Sequence, residues 1–428
     1  MRQRGVNPLV STTLLLTWLA TLGCTSHPAA GSGATTAAGT SSATSGGTSG
    51  TGGTSGTGGT SGTGSTSGTS STSGAGGAAP VKPLTPSGPV TITGQTGVTI
   101  TGLHITSTTG PCVVIDGSTQ VTLEGCDIGP CDGVGVHVLD SDQITVADSY
   151  VHPELKTTGC CDSGDGLFIE RTTNMLVQGN VIAFGEANIE AQAVTHFQVI
   201  GNFLLNPQNT GSRGQNVQVW AQGSARSGDV TVKNNYALSS TDPRYLKGYD
   251  QEDSLNFGFT TGIVAQGNYI QGGQSPSGCG LIADEAANGA QFLDNVLVDT
   301  GQCGIGIASG TSQAVTGNKI LNSTPVAGGG NTGLFVWSQY SDACGPVTVA
   351  NNVSSELKPD MVTESGYWNG GGCEPVTLTG NVWDAAARAQ LSPAAQVLPP
   401  PPVPPAPRLC VAPAPWVSFV GMPACGGP

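Results

Sequence analysis

Apolar and polar residues alternate over short stretches along the middle of the chain, and most of these stretches end in the same way. Two apolar residues, one position apart, are followed by Gly, Asp or Asn and then by Asn. Alternation of this kind is typical of a β-strand with one buried face. The pattern therefore predicts strands that each end at a turn, and the turns are marked by Asn180, Asn202, Asn235, Asn268, Asn295, Asn318, Asn352 and Asn381.

The distance between successive turns indicates a stacked repeat. Neighbouring Asn positions are 22 to 34 residues apart, and residues 121–126 and 144–149 keep the strand pattern without the Asn. Repeats of this length are typical of solenoids. Equivalent residues in stacked parallel strands lie about 4.8 Å apart, so each Asn side chain can hydrogen-bond to the ones above and below it. We therefore predict a β-solenoid whose turns are joined by an Asn ladder.

This repeat resembles that of the right-handed parallel β-helix superfamily, which includes the pectate lyases. The resemblance implies an all-β domain, a right-handed parallel β-helix of about ten to eleven coils, which we assign to residues 80–386. It does not identify an activity, because one fold can carry several chemistries. The paired-aspartate and Gly-His-Gly motifs of polygalacturonases have no counterpart here, and the lyase motifs do not match residue by residue. No catalytic role is carried over.

The first residues are typical of an exported protein. Arg2 and Arg4 precede an apolar stretch at residues 9–22, as in a secretory signal peptide. The tetrapeptide Thr-Leu-Gly-Cys that ends at Cys24 resembles a bacterial lipobox, which implies lipidation of Cys24. The alternative is ordinary signal cleavage beside an incidental cysteine. We predict a lipoprotein-type signal peptide at residues 1–24 and a secreted protein at the outer membrane or cell surface.

The regions on either side of the repeat differ from it in composition. Residues 25–79 are almost wholly Ser, Thr, Gly and Ala, so they bury too little apolar surface to fold, and we predict a disordered linker. Residues 387–428 follow the last repeat and are proline-dense at 397–407. We expect this tail to cap the last coil, whose strand edges would otherwise be exposed.

Charge limits the classes of partner. The net charge is −14, and only 10% of the residues are charged, so electrostatic attraction to nucleic acid is not expected. A secreted β-helix instead favours a polysaccharide or a cell-envelope glycan as the partner. We expect a monomer that contacts a membrane only through the N-terminal lipid.

Twelve cysteines in an exported chain favour disulfide bonds. Cys279 and Cys303 occupy the same position in adjacent repeats, and so do Cys344 and Cys373. Stacked coils place such α-carbons within disulfide distance, so we predict the pairs Cys279–Cys303 and Cys344–Cys373. We also expect a Cys410–Cys425 pair in the tail. Sequence alone leaves the pairing of five others open: Cys112, Cys126, Cys131, Cys160 and Cys161.

A second strand is expected in each coil after the Asn turn, and its outward positions form two columns along the stack. Polar side chains gather in the middle of these columns. The longest insertions, residues 152–164, 206–214 and 239–253, come just before these strands and would stand beside the same face. We therefore predict a groove in which Trp220 offers a flat surface to a sugar ring. An ordinary polar sheet surface is the alternative. The predicted substrate-binding residues are His137, Glu190, Gln192, Gln218, Trp220 and Asn256.

The insertion at residues 239–253 is the richest in reactive side chains. Breakage of a uronate chain by β-elimination needs a base for the proton beside the carboxylate, and Arg244 or Lys247 could act as that base, with Tyr245 or Tyr249 as the acid. The alternative is a solvated loop whose charges pair among themselves. Calcium could neutralise the substrate carboxylate, and the predicted calcium ligands are Asp165, Glu170 and Glu190.

These patterns favour a surface-displayed β-helix that engages polysaccharide on its central coils, as a uronate lyase. One alternative is a non-catalytic module that binds glycan or has a structural role at the surface. Another is a glycoside hydrolase, because Glu170 and Glu190 fall on adjacent coils and could form a carboxylate pair.

Overall fold

The computed structural model describes residues 84–153, 164–208, 214–239, 251–273 and 275–391. Within this part of the chain, three short strands form each coil, and strands of successive coils pair in parallel. The result is three long parallel sheets, which confirms the predicted β-solenoid. No helix in the described ranges is long and apolar enough to cross a membrane.

Sheet 1 contains the first strand of every coil, eleven in all. Its members are β2 Val90–Thr93, β5 Val113–Asp116, β8 Val136–Leu139, β11 Leu167–Glu170, β14 Ile189–Gln192, β17 Val217–Trp220, β20 Leu255–Phe257, β23 Cys279–Ala283, β26 Cys303–Ile307, β29 Thr332–Trp337 and β32 Tyr367–Gly371.

Sheet 2 contains the second strand of every coil, and its strands from β12 to β33 lead into the turns that carry the Asn residues. Its members are β3 Thr99–Thr101, β6 Thr119–Glu124, β9 Asp142–Ala147, β12 Leu176–Gln178, β15 Thr195–Ile200, β18 Ser227–Lys233, β21 Thr260–Gln266, β24 Gln291–Leu293, β27 Gln313–Thr316, β30 Val347–Ala350 and β33 Val376–Thr379.

Sheet 3 follows the turn and has twelve strands, because one strand precedes the first complete coil. Its members are β1 Thr85–Ser87, β4 Leu103–Ile105, β7 Asp127–Ile128, β10 Tyr150–Val151, β13 Val181–Ala183, β16 Phe203–Leu205, β19 Tyr236–Leu238, β22 Tyr269–Gln271, β25 Val296–Val298, β28 Lys319–Asn322, β31 Val353–Glu356 and β34 Val382–Trp383. These strands are two to four residues long, too short for alternation to reveal them in the sequence.

The predicted Asn ladder joins sheets 2 and 3. From Asn180 to Asn381, each side-chain amide donates a hydrogen bond of 2.9–3.0 Å to the side-chain oxygen of the next Asn. Toward the N-terminus the ladder continues through Ser149, whose backbone N–H donates to Asn180 Oδ1 at 3.0 Å. Every ladder Asn follows a residue with φ between 54° and 71°. Gly, Asn and Asp adopt this left-handed conformation most readily, which explains the residue types before each Asn.

The core lies inside the coils and consists mainly of Val, Ile and Leu. One inward position of sheet 3 illustrates it: Ile128, Val151, Ile182, Leu204 and Ile270 are all fully buried. Each contacts the equivalent residue of the neighbouring coil, because the strands pair in register. The core is therefore a continuous apolar column.

Among the described residues, three disulfides connect parts of the stack. Cys279–Cys303 and Cys344–Cys373 are the predicted pairs, with α-carbons 4.6 and 4.3 Å apart. Cys112–Cys131 is a third, with α-carbons 5.4 Å apart. Cys126 is buried and forms no disulfide in the described part of the chain. The remaining cysteines lie outside the described residues: Cys24, Cys160, Cys161, Cys410 and Cys425.

A single helix, α1 (Asp384–Leu391), follows the last strand within the described residues. It packs on β28, β31 and β34, so it lies over the outer face of sheet 3. Ala387 and Leu391 are its buried residues.

Candidate functional site

The outward column predicted for sheet 1 is present residue by residue. Register pairs connect His137 to Phe168, Phe168 to Glu190, Glu190 to Gln218 and Gln218 to Asn256. In the second column, Gln192 pairs with Trp220. The structure therefore brings all six predicted substrate-binding residues onto one face.

The middle of that face is not open to solvent, which corrects the expectation of an exposed groove floor. Glu190, Gln218 and Asn256 are only 3–6% exposed. Alternation along a strand determines which side a residue faces, but it does not determine what lies over that side. Trp220 is half-buried and packs edge-on against Phe259, with ring centroids 5.6 Å apart.

Glu170 belongs to a charged network at the N-terminal end of the face. Its Oε2 is 2.9 Å from His137 Nε2, and its Oε1 accepts a hydrogen bond from Arg171 at 3.2 Å. Arg171 also binds both carboxylate oxygens of Asp140, at 2.7 and 3.0 Å. The hydrogen bond with His137 is the main cause that lowers the pKa of Glu170. Glu170 is therefore ionised at neutral pH and is unsuited to donate a proton.

The two carboxylates of the predicted hydrolase scheme are neighbours. Glu170 and Glu190 lie diagonally on β11 and β14, and Gln192 donates a hydrogen bond of 2.7 Å to Glu190 Oε1. Because the pKa of Glu170 is lowered, the general acid of such a pair would have to be Glu190.

The three predicted calcium ligands bind different partners. Asp165 Oδ1 accepts a hydrogen bond from the Ala187 backbone N–H at 2.8 Å, whereas Glu170 and Glu190 bind side chains as described above. In the described ranges, no group of three or more His, Cys, Asp or Glu side chains is arranged to hold a metal ion. Calcium binding stays a prediction.

Two further carboxyl groups meet near the middle of sheet 1. The Asn256 amide nitrogen donates to Asp253 Oδ2 at 2.7 Å and to Asp284 Oδ2 at 3.2 Å. Burial raises the pKa of both carboxyl groups, and the charges of Glu252 and Asp284 raise that of Asp253 further. Asp253 is 5% exposed, whereas Asp284 is half-buried. The pair therefore holds protons more tightly than exposed aspartates do.

Tyr340 connects this pair to the C-terminal end of the same face. Its hydroxyl donates a hydrogen bond of 2.6 Å to Asp284 Oδ1. It follows β29 closely, and β29 provides Phe335 and Trp337. The carboxyl pair and the aromatic side chains of the last coils are therefore adjacent parts of one surface.

A cleft of about 310 Å³ lies at this end of sheet 1. Trp337 and Trp368 are 40% and 46% exposed, and their rings meet edge to face with centroids 5.5 Å apart. Gly370 makes room for both rings, because a Cβ there would collide with them. The full lining is Gln302, Gly330, Thr332, Phe335, Trp337, Gln339, Lys358, Ser365 and Trp368.

The lining combines apolar rings with hydrogen-bonding groups. Lys358 reaches it with its Nζ donating to the Gly330 carbonyl oxygen at 2.6 Å. The hydroxyls of Thr332 and Ser365 lie 2.9 Å apart. Aromatic faces beside amide, hydroxyl and ammonium groups form a surface that suits a ligand with both apolar and polar edges.

Sequence reasoning missed Trp368, Asp253 and Tyr340. Trp368 pairs with Phe335 and so continues the outward column by one coil. The signal for it was present, since Tyr-Trp at 367–368 precedes the last Asn turn as the other sheet 1 strands precede theirs. Asp253 and Tyr340 lie outside regular strands, where the repeat gives no register. The predicted catalytic residues lie outside the described residues: Arg244, Tyr245, Lys247 and Tyr249.

Comparison with known proteins agrees with this architecture. A family model described as the right-handed β-helix region matches residues 89–211. The chain is a right-handed parallel β-helix protein. No curated protein matches it.

Several solved structures are similar at low identity. The Dettilon tailspike protein is 13% identical with a TM-score of 0.47, over 70% of this chain and 58% of its own length. PfbA, a surface adhesin of Streptococcus pneumoniae, is 12% identical with a TM-score of 0.41, over 69% and 68%. The mannuronan C-5 epimerase AlgE4 A-module of Azotobacter vinelandii is 12% identical with a TM-score of 0.46, over 69% and 90%.

Proposed function

We propose that this protein binds a polysaccharide along the outer face of sheet 1, with a sugar ring stacked in the cleft between Trp337 and Trp368. The observation that carries the proposal is the exposure of these two rings, 40% and 46%, at a cleft of about 310 Å³. Large aromatic side chains are normally buried. An exposed pair beside polar groups matches the two kinds of surface of a sugar, whose C–H faces are apolar and whose hydroxyls form hydrogen bonds.

Binding to the cleft is tested with single substitutions. Calorimetric titration with soluble neutral and uronate polysaccharides would compare the native protein with Trp337→Ala and Trp368→Ala. We expect each variant to bind about tenfold more weakly, because roughly 1.4 kcal/mol of stacking and burial is lost. The matched control is Val362→Ala, an apolar residue of the same coil that is 82% exposed and outside the cleft lining.

Trp220→Ala separates this site from the groove centre predicted from the sequence. Because Trp220 packs on Phe259, we expect its replacement to lower stability more than affinity. Affinity lost in Trp220→Ala and retained in both cleft variants would reject the cleft as the binding site.

One observation favours catalysis as a second function. Asp253 and Asp284 share the Asn256 amide near the middle of sheet 1, and both carboxyl pKa values are raised. A carboxyl group with a raised pKa keeps its proton to a higher pH than an exposed one, which is what a general acid in glycosidic bond cleavage needs. Asp284 is the better candidate, because Asp253 is more completely buried.

Product analysis distinguishes the candidate activities. Hydrolysis would produce reducing ends without an unsaturated sugar and would be lost in Asp284→Asn. Uronate lysis would produce the unsaturated sugar and would be lost in Arg244→Ala with Lys247→Ala. Binding without either product would leave a non-catalytic glycan-binding module.

Calcium and surface attachment are tested separately. A calcium ion held by Asp165, Glu170 and Glu190 would raise the melting temperature in millimolar calcium, since it binds only the folded state, and an unchanged melting temperature would reject it. The three disulfides are typical of an oxidising compartment. Lipidation at Cys24 predicts labelling by a radioactive fatty acid that Cys24→Ser abolishes.

A further inference from the structure

The outer face of sheet 3 is apolar where a surface would normally be polar. Residues Ile182, Leu204, Ala237 and Ile270 point into the core, so the residues before them point outward. These outward residues pair in register from coil to coil and form an apolar stripe: Val181, Phe203, Tyr236, Tyr269 and Val296.

Much of the stripe is covered although it lies outside the coils, while Tyr236 and Val296 are half-buried. Val181 and Phe203 are only 1–2% exposed, and Leu205 and Leu238, in the next outward column, are also buried. The aromatic rings form a continuous surface, since the Tyr236 and Tyr269 rings stack with centroids 5.0 Å apart. Burial raises the pKa of Tyr269 to about 12. A cover therefore lies over the part of the stripe formed by Val181, Phe203 and Tyr269.

Helix α1 supplies this cover at the C-terminal end. Ala387 and Leu391 form a buried cluster with Tyr269 and Val353. Arg388 fixes the helix by donating a hydrogen bond of 3.0 Å to the Asn322 carbonyl oxygen. Because α1 starts beside β34 and reaches β28, it runs back toward the N-terminal coils. The helix therefore ends on the side of sheet 3 that faces the stripe.

The residues after α1 have the composition that such a surface binds. Seven of the eleven residues at 397–407 are proline. Proline-rich segments favour the polyproline II conformation, which docks on grooves lined with aromatic side chains. At about 3.1 Å per residue, eleven residues span roughly 34 Å. The five coil steps from β28 back to β13 need only about 24 Å, so the segment is long enough.

We propose that the proline-rich segment 397–407 docks along the apolar stripe on sheet 3 and straps neighbouring coils together. The segment carries no charge, which suits a stripe of Val, Phe and Tyr. A preformed polyproline II helix loses little conformational entropy on docking, so modest apolar burial is sufficient to hold it. The tail then stabilises the long side of the solenoid and not only its end.

Hydroxyl-radical footprinting of the full chain tests this docking. Replacing Pro399, Pro400, Pro401 and Pro402 together by Ser weakens the polyproline II preference and alters no described residue. We expect oxidation of Tyr236 and Tyr269 to rise at least threefold. The matched control replaces Pro413 and Pro415 by Ser and is expected to leave the footprint unchanged.

Trypsin provides a second measurement, because Arg408 is the only basic residue of the tail after α1. In the native protein, release of fragment 409–428 is expected to be slow. The four-proline variant and a Tyr236→Ser, Tyr269→Ser double variant should each release it about tenfold faster, whereas Val362→Ser should not. If the double variant fails to fold, the four-proline variant alone decides the outcome.

Two results would overturn the proposal. Unchanged tyrosine protection in the four-proline variant would mean that another part of the chain covers the stripe. Protection that disappears on dilution of the native protein would mean that a second copy covers it.

Discussion

The side-chain oxygen of Asn268 accepts two hydrogen bonds from Asn235, one from its backbone N–H and one from its side-chain amide, each at 3.0 Å. The Asn268 amide in turn donates to Asn295 Oδ1 and to the Val232 carbonyl oxygen, both at 2.9 Å. One buried amide therefore satisfies four polar groups of the two neighbouring coils. This repeated arrangement fixes the register of the solenoid.

Replacing this amide should be costly. Asn268→Ala leaves several buried polar groups without partners, and each costs about 1–3 kcal/mol, so we expect a loss of roughly 3 kcal/mol or more. Guanidinium denaturation measures it. The exposed Asn369 serves as the control, and Asn369→Ala should change stability by less than about 0.5 kcal/mol. Equal losses in the two variants would show that the ladder does not stabilise the stack.

Glu356 should make the protein less stable as pH rises. It is fully buried on β31, its Oε2 accepts a hydrogen bond from Asn322 at 2.8 Å, and burial raises its pKa to about 8. The folded protein therefore keeps a proton that the unfolded chain releases near its ordinary pKa of 4.5. The contribution of Glu356 to the free energy of unfolding is complete below pH 4.5. It is lost as pH rises through 8, by up to about 1.4 kcal/mol for each pH unit.

Glu356→Gln should remove this dependence, because the amide keeps an oxygen for Asn322 and cannot ionise. We expect the variant to melt at a higher temperature than the native protein at pH 8 and at nearly the same temperature at pH 4. Glu124→Gln, at an exposed position, is the control. A native protein with equal stability at the two pH values would contradict the prediction.

Asp284→Asn should also raise stability at neutral pH. The raised pKa values of Asp253 and Asp284 predict that stability falls as pH rises from about 4, where the unfolded chain ionises. The substitution removes one charge of the pair and keeps an acceptor for Tyr340. The expected result is a flatter plot of melting temperature between pH 4 and 7.

Asp140→Asn provides a control of opposite sign. The hydrogen bond from Arg171 lowers the pKa of Asp140. Ionised Asp140 therefore stabilises the folded protein at neutral pH, and this stabilisation is lost as pH falls. This variant should therefore be less stable than the native protein at pH 7 and similar to it in acid. If Asp284→Asn and Asp140→Asn changed the melting temperature in the same direction at pH 7, the opposite pKa directions assigned to Asp284 and Asp140 would be wrong.

Lys358 should control the preference for charged glycans. Its ammonium group is at the cleft, in a protein whose net charge is −14. We expect Lys358→Gln to weaken binding of uronate polysaccharides about tenfold and to leave neutral polysaccharides within twofold. Calorimetry at two salt concentrations checks this, because added salt should reduce the difference. Equal losses for both ligand classes would assign Lys358 a packing role.

Much of the architecture could be predicted because the repeat is local. Each coil contacts the preceding and following repeats, so the spacing of the Asn positions already gives the order of neighbours. The outward positions predicted from His137 to Asn256 were correct for the same reason. The register changes between Val336 and Trp337, where β29 meets β32. Trp337 therefore pairs with Gly371, one residue beyond the regular register, and no periodic pattern could show this shift.

The sequence by itself determined the coil, the ladder and two of the three disulfides seen in the described ranges, because stacking places identical positions of successive repeats about one strand spacing apart. Only the tertiary structure decided which outward residues are covered, how Asp253 and Asp284 meet at Asn256, and where the exposed tryptophans lie. Those features depend on segments of unequal length that follow no repeat. Their burial and charge arise from neighbours distant in sequence, and it is these neighbours that shift the pKa values and shape the cleft.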